Sequence, residues 1–162
     1  MKNKKQKIAI FVDVQNIYYT TKQQHRRHFN YNAFWQEVTK NREVVKAFAY
    51  AISSADEKQK QFQNILRGIG FEVKLKPFIQ RSDGSAKGDW DVGITIDIME
   101  NAKKCDAVIL LSGDGDFDLL AKKVTGDLGR EFEVYGVKEL TADSLINAAT
   151  KFIPITDPLL LH

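Results

Sequence analysis

At 162 residues, with 43% hydrophobic and 28% charged positions, the chain has the composition of one soluble globular domain, which excludes a disordered or fibrous protein. Its start, "MKNKKQKIAIFVDV", is basic, but the apolar run before Asp13 is too short for a signal peptide or a membrane span, so a cytoplasmic protein with no membrane partner is expected. The single Cys105 excludes an internal disulfide and a thiolate metal site, and reads as small buried filler in a reducing compartment.

In chain order, strands are expected at "KIAIFVDV" (7–14), "VVKAFAYAI" (44–52), "FEVKLKPFI" (71–79), "AVILLS" (107–112), "EFEVYGV" (131–137) and, more briefly, "FIPI" (152–155). Several are continuous Val/Ile/Phe/Leu runs, the pattern of strands covered on both faces. Helical patterns lie between them at 15–27, 31–40, 55–69, 89–104, 116–128 and 141–149. Asn32, Ser54 and Thr141 are the expected N-caps, and Gly70 and Gly129 the expected C-terminal stops. Strands alternating with helices imply right-handed crossovers, hence a three-layer α/β/α sandwich with a mostly parallel central sheet, formed by residues 1–162 as one domain.

The net charge of +3 is unevenly spread. Residues 1–82 hold 16 Lys/Arg and 6 Asp/Glu, while residues 83–162 hold 8 and 15, so the two stretches carry +10 and −7. Sharing one domain, they suggest an acidic site rimmed by basic surface, which suits a polyanion held over bound cations. Two solvated faces are the plainer alternative.

The acidic site is sought where such sheets bind ligands, beyond the carboxyl ends of the strands at the point where strand order reverses. Asp13 closes the first strand, and Asp114 and Asp116 in "SGDGDF" follow the fourth long one; Asp91, in "KGDWDVGITIDIM", opens the preceding helix. If the first and fourth strands are neighbours, these carboxylates converge. Clustered carboxylates raise one another's pKa unless a cation lies among them, and an oxygen-only set selects hard ions such as Mg²⁺ or Mn²⁺.

Other motifs fail on particular residues. Counted as a calcium-binding EF-hand loop from Asp114, Leu119 stands where glycine is needed and Thr125 where glutamate is needed. A haloacid-dehalogenase phosphatase needs a second Asp where Gln15 stands, and neither a phosphate loop nor a GxGxxG fingerprint is present.

"FVDVQN", "KGDWDVGITID" and "LLSGDGDF" resemble, in order, three signature segments of the NYN domain in its LabA-like branch, within the PIN-like nuclease superfamily. The resemblance spans nearly the whole chain. It implies a PIN-like, Rossmann-like sandwich and a Mg²⁺- or Mn²⁺-dependent RNA phosphodiesterase. By motif, Asp13, Asp91, Asp114 and Asp116 resemble the metal-binding acids and Asn16 the polar residue that supports them.

Ser112, Asp118 and Asp97 are further supporting candidates. Asp118 equally suits the positive end of a helix dipole. Asp97 stands about 120° around the helix from Asp91 and equally suits a plain polar position. Asp89 reads as a helix cap. Lys87 is a candidate phosphate contact or a solvated loop lysine. Arg26 and Arg27, flanked by His25 and His28, form a basic patch for RNA. Tyr18, Tyr19, Phe29 and Tyr31 suit either base stacking or core packing, with core packing favoured. The expected function is RNA phosphodiester hydrolysis; with no obvious pocket histidine as base, a catalytically weak RNA-binding or regulatory module is the alternative. A homodimer is compatible with either.

Overall fold

The computed structural model describes residues 4–77 and 89–162, together with the backbone of residues 79–80 and 86–87. The chain runs β1 (Gln6–Asp13), α1 (Val14–His25), α2 (Tyr31–Val38), β2 (Arg42–Ser53), α3 (Glu57–Ile69) and β3 (Glu72–Pro77). A separate antiparallel pair follows, β4 (Ile79–Gln80) and β5 (Ala86–Lys87). Then come α4 (Asp91–Asn101), β6 (Ala107–Leu111), α5 (Asp118–Lys122), β7 (Glu131–Gly136), α6 (Asp143–Ala148) and β8 (Lys151–Pro154).

Six strands form one sheet in the order β3-β2-β1-β6-β7-β8, with every pairing parallel. The apolar runs are continuous because both faces of the central strands are covered: all five residues of β6 are buried. Alternation along β1 sends Ile8, Ile10 and Val12 into a core beneath α1, α2 and α3, and Ala9 and Phe11 into a second core beneath α4, α5 and α6. These two cores on opposite faces define the α/β/α layers. Cys105 is buried in the second core, as expected of filler.

Chain order carries the site. From β1 the chain winds outward through β2 to β3, then returns through α4 to β6 on the other side of β1. Strand order therefore reverses between β1 and β6, and their carboxyl ends flank the resulting crevice.

The helix ends depart from expectation. Asn30, not Asn32, caps α2, its side chain accepting from the Ala33 amide at 3.0 Å. Asp56 caps α3 through the Lys58 amide, while Ser54 Oγ accepts one step earlier, from the Asp56 amide. Thr141 instead donates its hydroxyl to the Val137 carbonyl. Gly70 (φ +141°) and Gly129 (φ +63°) do end helical segments in left-handed backbone. The expected helix over 116–128 is three pieces: a 3₁₀ turn at Gly115–Phe117, then α5, then a π turn at Lys123–Asp127. Among the described residues, no helix is long and apolar enough to cross a membrane.

Candidate metal centre at the sheet switch point

Val12 and Leu111 pair across β1 and β6, so Asp13 and Ser112 emerge side by side. Ser112 Oγ donates to Asp13 Oδ2 at 3.1 Å and accepts from the Asp114 amide at 3.2 Å. Asn16 Oδ1, in the first turn of α1, accepts from the Gly113 amide at 2.9 Å. The "VDVQN" and "SGDGDF" segments are thus tied together by Ser112 and Asn16.

The glycines of the second loop serve close approach. Neither Gly113 nor Gly115 has positive φ. A Cβ on Gly113 would lie 3.0 Å from the Leu140 carbonyl oxygen and 2.9 Å from Thr141 Oγ1, and one on Gly115 would lie 2.8 Å from Ala142 Cβ. With the loop pressed against residues 140–142, Asp114 bends its side chain back to accept from the Asp116 amide at 2.9 Å. That turn points both carboxylates toward α4.

The start of α4 is fixed from the other side. Trp90 Nε1 donates to the Ala51 carbonyl at 2.9 Å, its ring packs against Tyr50, and Lys76 Nζ lies over it at 4.6 Å. Lys76 also donates to the Asp89 carbonyl. Asp91 follows directly, its amide bonded to Asp89 Oδ1 at 3.3 Å. Carboxylate oxygens of Asp91, Asp114 and Asp116 all lie within 4.8 Å of one another. Among the described residues, none of these three, nor Asp13, makes an ion pair with a lysine or arginine.

Asp13 lies behind the three and is only 8% exposed. Burial is the main reason its pKa is raised to about 6; the Ser112 hydroxyl and the nearby Asn16 amide oppose this, and the charges of Asp114 and Asp89 add to it. Asp91 is pushed up to about 7, first by burial, then by its pairing with Asp114 and by the charges of Asp114, Asp13 and Asp89. The metal-free site therefore resists carrying its full negative charge.

Residues 7–157 match the family model of the NYN domain. The chain belongs to the NYN domain family. It is 30% identical over 166 residues to low amplitude and bright protein LabA of Synechococcus elongatus, covering 93% of this chain and 84% of the relative. A crystal structure of a protein of unknown function from Vibrio parahaemolyticus shares 56% identity and 99% coverage of both chains, with a TM-score of 0.95.

NYN domains lie within the PIN-like nuclease superfamily, which implies a divalent ion. The residues of this NYN chain fit one. Among the described residues, three oxygen donors converge without a protein cation, and no histidine or cysteine joins them to favour zinc.

Other expected site residues are placed elsewhere. Asp97 faces away from the cluster, bound to Lys74 Nζ at 2.7 Å and the Tyr50 hydroxyl at 2.8 Å, because six residues along α4 turn it about 120° from Asp91 and carry it over β2 and β3. Asp118 opens α5 outside the converging three. Arg27 is not a free basic side chain: it pairs with Asp157 at 2.6 Å and donates to the Leu160 and Leu161 carbonyls, clamping the C-terminal segment. Arg26 is exposed, at the left-handed end of α1. The expected phosphate contact of Lys87 lies outside the described residues. Phe29 and Tyr31 are core residues, whereas Tyr18 and Tyr19 remain exposed.

Sequence reading missed Asp89 as a charge within the site and Trp90 as the anchor of Asp91. The signal available was the tryptophan between two aspartates in "GDWDVG".

Proposed function

We propose that this NYN domain is a metal-dependent ribonuclease that hydrolyses RNA phosphodiester bonds. The observation that carries this reading is the convergence of Asp91, Asp114 and Asp116 at the switch point, with no protein cation among them in the described residues. These three would hold Mg²⁺ or Mn²⁺, with Asp13 completing the charge from behind. A divalent ion bound there supplies charge stabilisation for the leaving oxygen and makes water a stronger nucleophile near neutral pH.

The chain's own residues do the positioning. Ser112 holds the Asp13 carboxylate and the Asp114 amide in one hydrogen-bonded array, and Asn16 fixes the loop between them. Trp90 fixes the start of α4, setting where Asp91 points. The crevice lies at the carboxyl ends of the two central strands, so an extended polyanion can cross it, and the positive balance of residues 1–82 supplies attraction.

Labelled RNA incubated with Mn²⁺, with and without EDTA, tests the proposal. We expect cleavage that EDTA abolishes and that Asp114→Asn slows by about a hundredfold or more, the scale of losing an ion worth several kcal/mol. Metal-independent cleavage, or an Asp114→Asn protein as fast as wild type, refutes it. The second reading, an RNA-binding or regulatory module, is favoured by the absence of histidine from the cluster. Salt-dependent RNA binding without turnover would select it.

A further inference from the structure

A cavity of about 670 Å³ opens between α1, the end of β2 and α3. It shares a wall with the site: Val14 and Gln15, which line it, directly follow Asp13. Tyr31 also lines it, its phenol raised above the usual pKa first by burial and then by the charge of Asp13.

The lining is aromatic. Tyr31 and Phe62 form the inner wall, their rings 5.6 Å apart, while Tyr18 and Tyr19 stand at the mouth, 38% and 60% exposed. Tyr18 is held by a parallel stack on His28, with ring centroids 5.6 Å apart, and its ring meets Tyr19 edge-on at 5.3 Å. The outer tyrosine is left with an open face. Gln15 and Gln59 add side-chain amides, each carrying both donors and an acceptor. Lys22 Nζ lies 5.5 Å from the Tyr18 ring centroid.

Flat apolar walls, a few amides and a cation at the mouth suit a planar heterocycle attached to an anionic backbone. A concave slot admits such a ring only when it is unpaired. We infer that this cavity receives one unpaired base of a single-stranded nucleic acid whose neighbouring phosphate lies at the carboxylate cluster, with Tyr19 as the stacking face. The inference rests on the ribonuclease reading for the placement of that phosphate; the cavity itself is independent of turnover.

The test compares a fluorescent uridine oligonucleotide with an abasic oligonucleotide of equal charge, by anisotropy with Ca²⁺ in place of Mn²⁺. Free uridine monophosphate is followed in parallel through the tyrosine ring NMR signals. Wild type is expected to prefer the base-containing strand by roughly tenfold, the scale of one base–aromatic stack. Tyr19→Ala should erase the preference and Tyr19→Phe should keep it. Uridine monophosphate should shift the Tyr18 and Tyr19 signals.

Equal binding of the two strands, a preference that survives Tyr19→Ala, or no shift of the tyrosine signals overturns the inference. A base preference without any Mn²⁺-dependent cleavage upholds the pocket and removes the nuclease. Cleavage without base preference does the reverse.

Discussion

Asp13 and Asp91 are carboxyl groups whose ionisation the fold opposes, and the sign of that effect can be measured. Each has a folded pKa, about 6 and about 7, above the usual 3.8. For an acid raised on folding, the native state binds more protons than the unfolded chain, so stability falls as pH rises through the interval between the two values. The metal-free protein is therefore expected to lose stability between about pH 4 and pH 7 and to level off above. Asp13→Asn keeps an acceptor for the Ser112 hydroxyl and removes the buried charge. In EDTA at pH 8 it should be more stable than wild type by up to roughly 3 kcal/mol, and its pH profile should be flatter. Denaturant melts across the pH series check this; a wild-type profile that rises with pH would contradict it. The same scale explains which residues could be read in advance. An Asp after a strand is visible in sequence, but the direction of its side chain is not: Asp91 and Asp97 share one helix, yet Lys74 and Tyr50 hold the second away from the cluster. Nor does sequence show that Arg27 is occupied by carbonyls and a carboxylate from the far end of the chain.

Elements were more legible than their ends. A strand buried on both faces has to be a run of apolar residues, so β1, β2, β6 and β7 are plain in the sequence, and their alternation with helices leaves few arrangements besides a parallel sheet. The caps shifted because an N-cap is decided by which residue takes extended backbone: Asn30 (φ −95°, ψ 93°) and Asp56 (φ −68°, ψ 124°) do, and composition alone does not separate them from Asn32 or Ser54. The loop after β6 depends on contacts from a distant segment, which makes Gly113 a test of how the element is held. A methyl there meets the Leu140 carbonyl oxygen at 3.0 Å and Thr141 Cα at 3.2 Å, both backbone atoms that cannot swing aside. Gly113→Ala is expected to cost about 1–3 kcal/mol of stability, the usual range for overpacking, and to weaken Mn²⁺ binding by moving Asp114 and Asp116. Gly126→Ala, with nothing within 4 Å of the added carbon, is the control and should leave metal affinity unchanged. Thermal melts and Mn²⁺ titrations of both variants decide the point. Equal behaviour of the two would mean that the 140–142 segment does not hold the loop.

For the whole molecule, the acidic cluster sets strain at one edge against two well-filled cores. Burial of both sheet faces is what allows the fold to hold Asp13, Asp91, Asp114 and Asp116 close together without a lysine or arginine paired to any of them among the described residues. A divalent ion that binds only the native state relieves that repulsion and adds stability by mass action. At a free ion concentration about 100 times the dissociation constant, the gain is roughly 2.7 kcal/mol. In a domain of 162 residues this corresponds to about 5–10 °C in melting temperature. Asp114→Asn removes one charge from the repelling set and one donor from the site, so its two effects have opposite signs: higher stability than wild type in EDTA, and a smaller rise with Mn²⁺. Thermal melts of both proteins across a Mn²⁺ series at fixed ionic strength separate them. Screening by salt alone would lift both proteins equally, whereas the site requires the curves to cross. If wild type does not respond to Mn²⁺ and the Asn variant is no more stable in EDTA, the carboxylates neither strain the fold nor hold an ion, and "SGDGDF" is only the turn from β6 into α5.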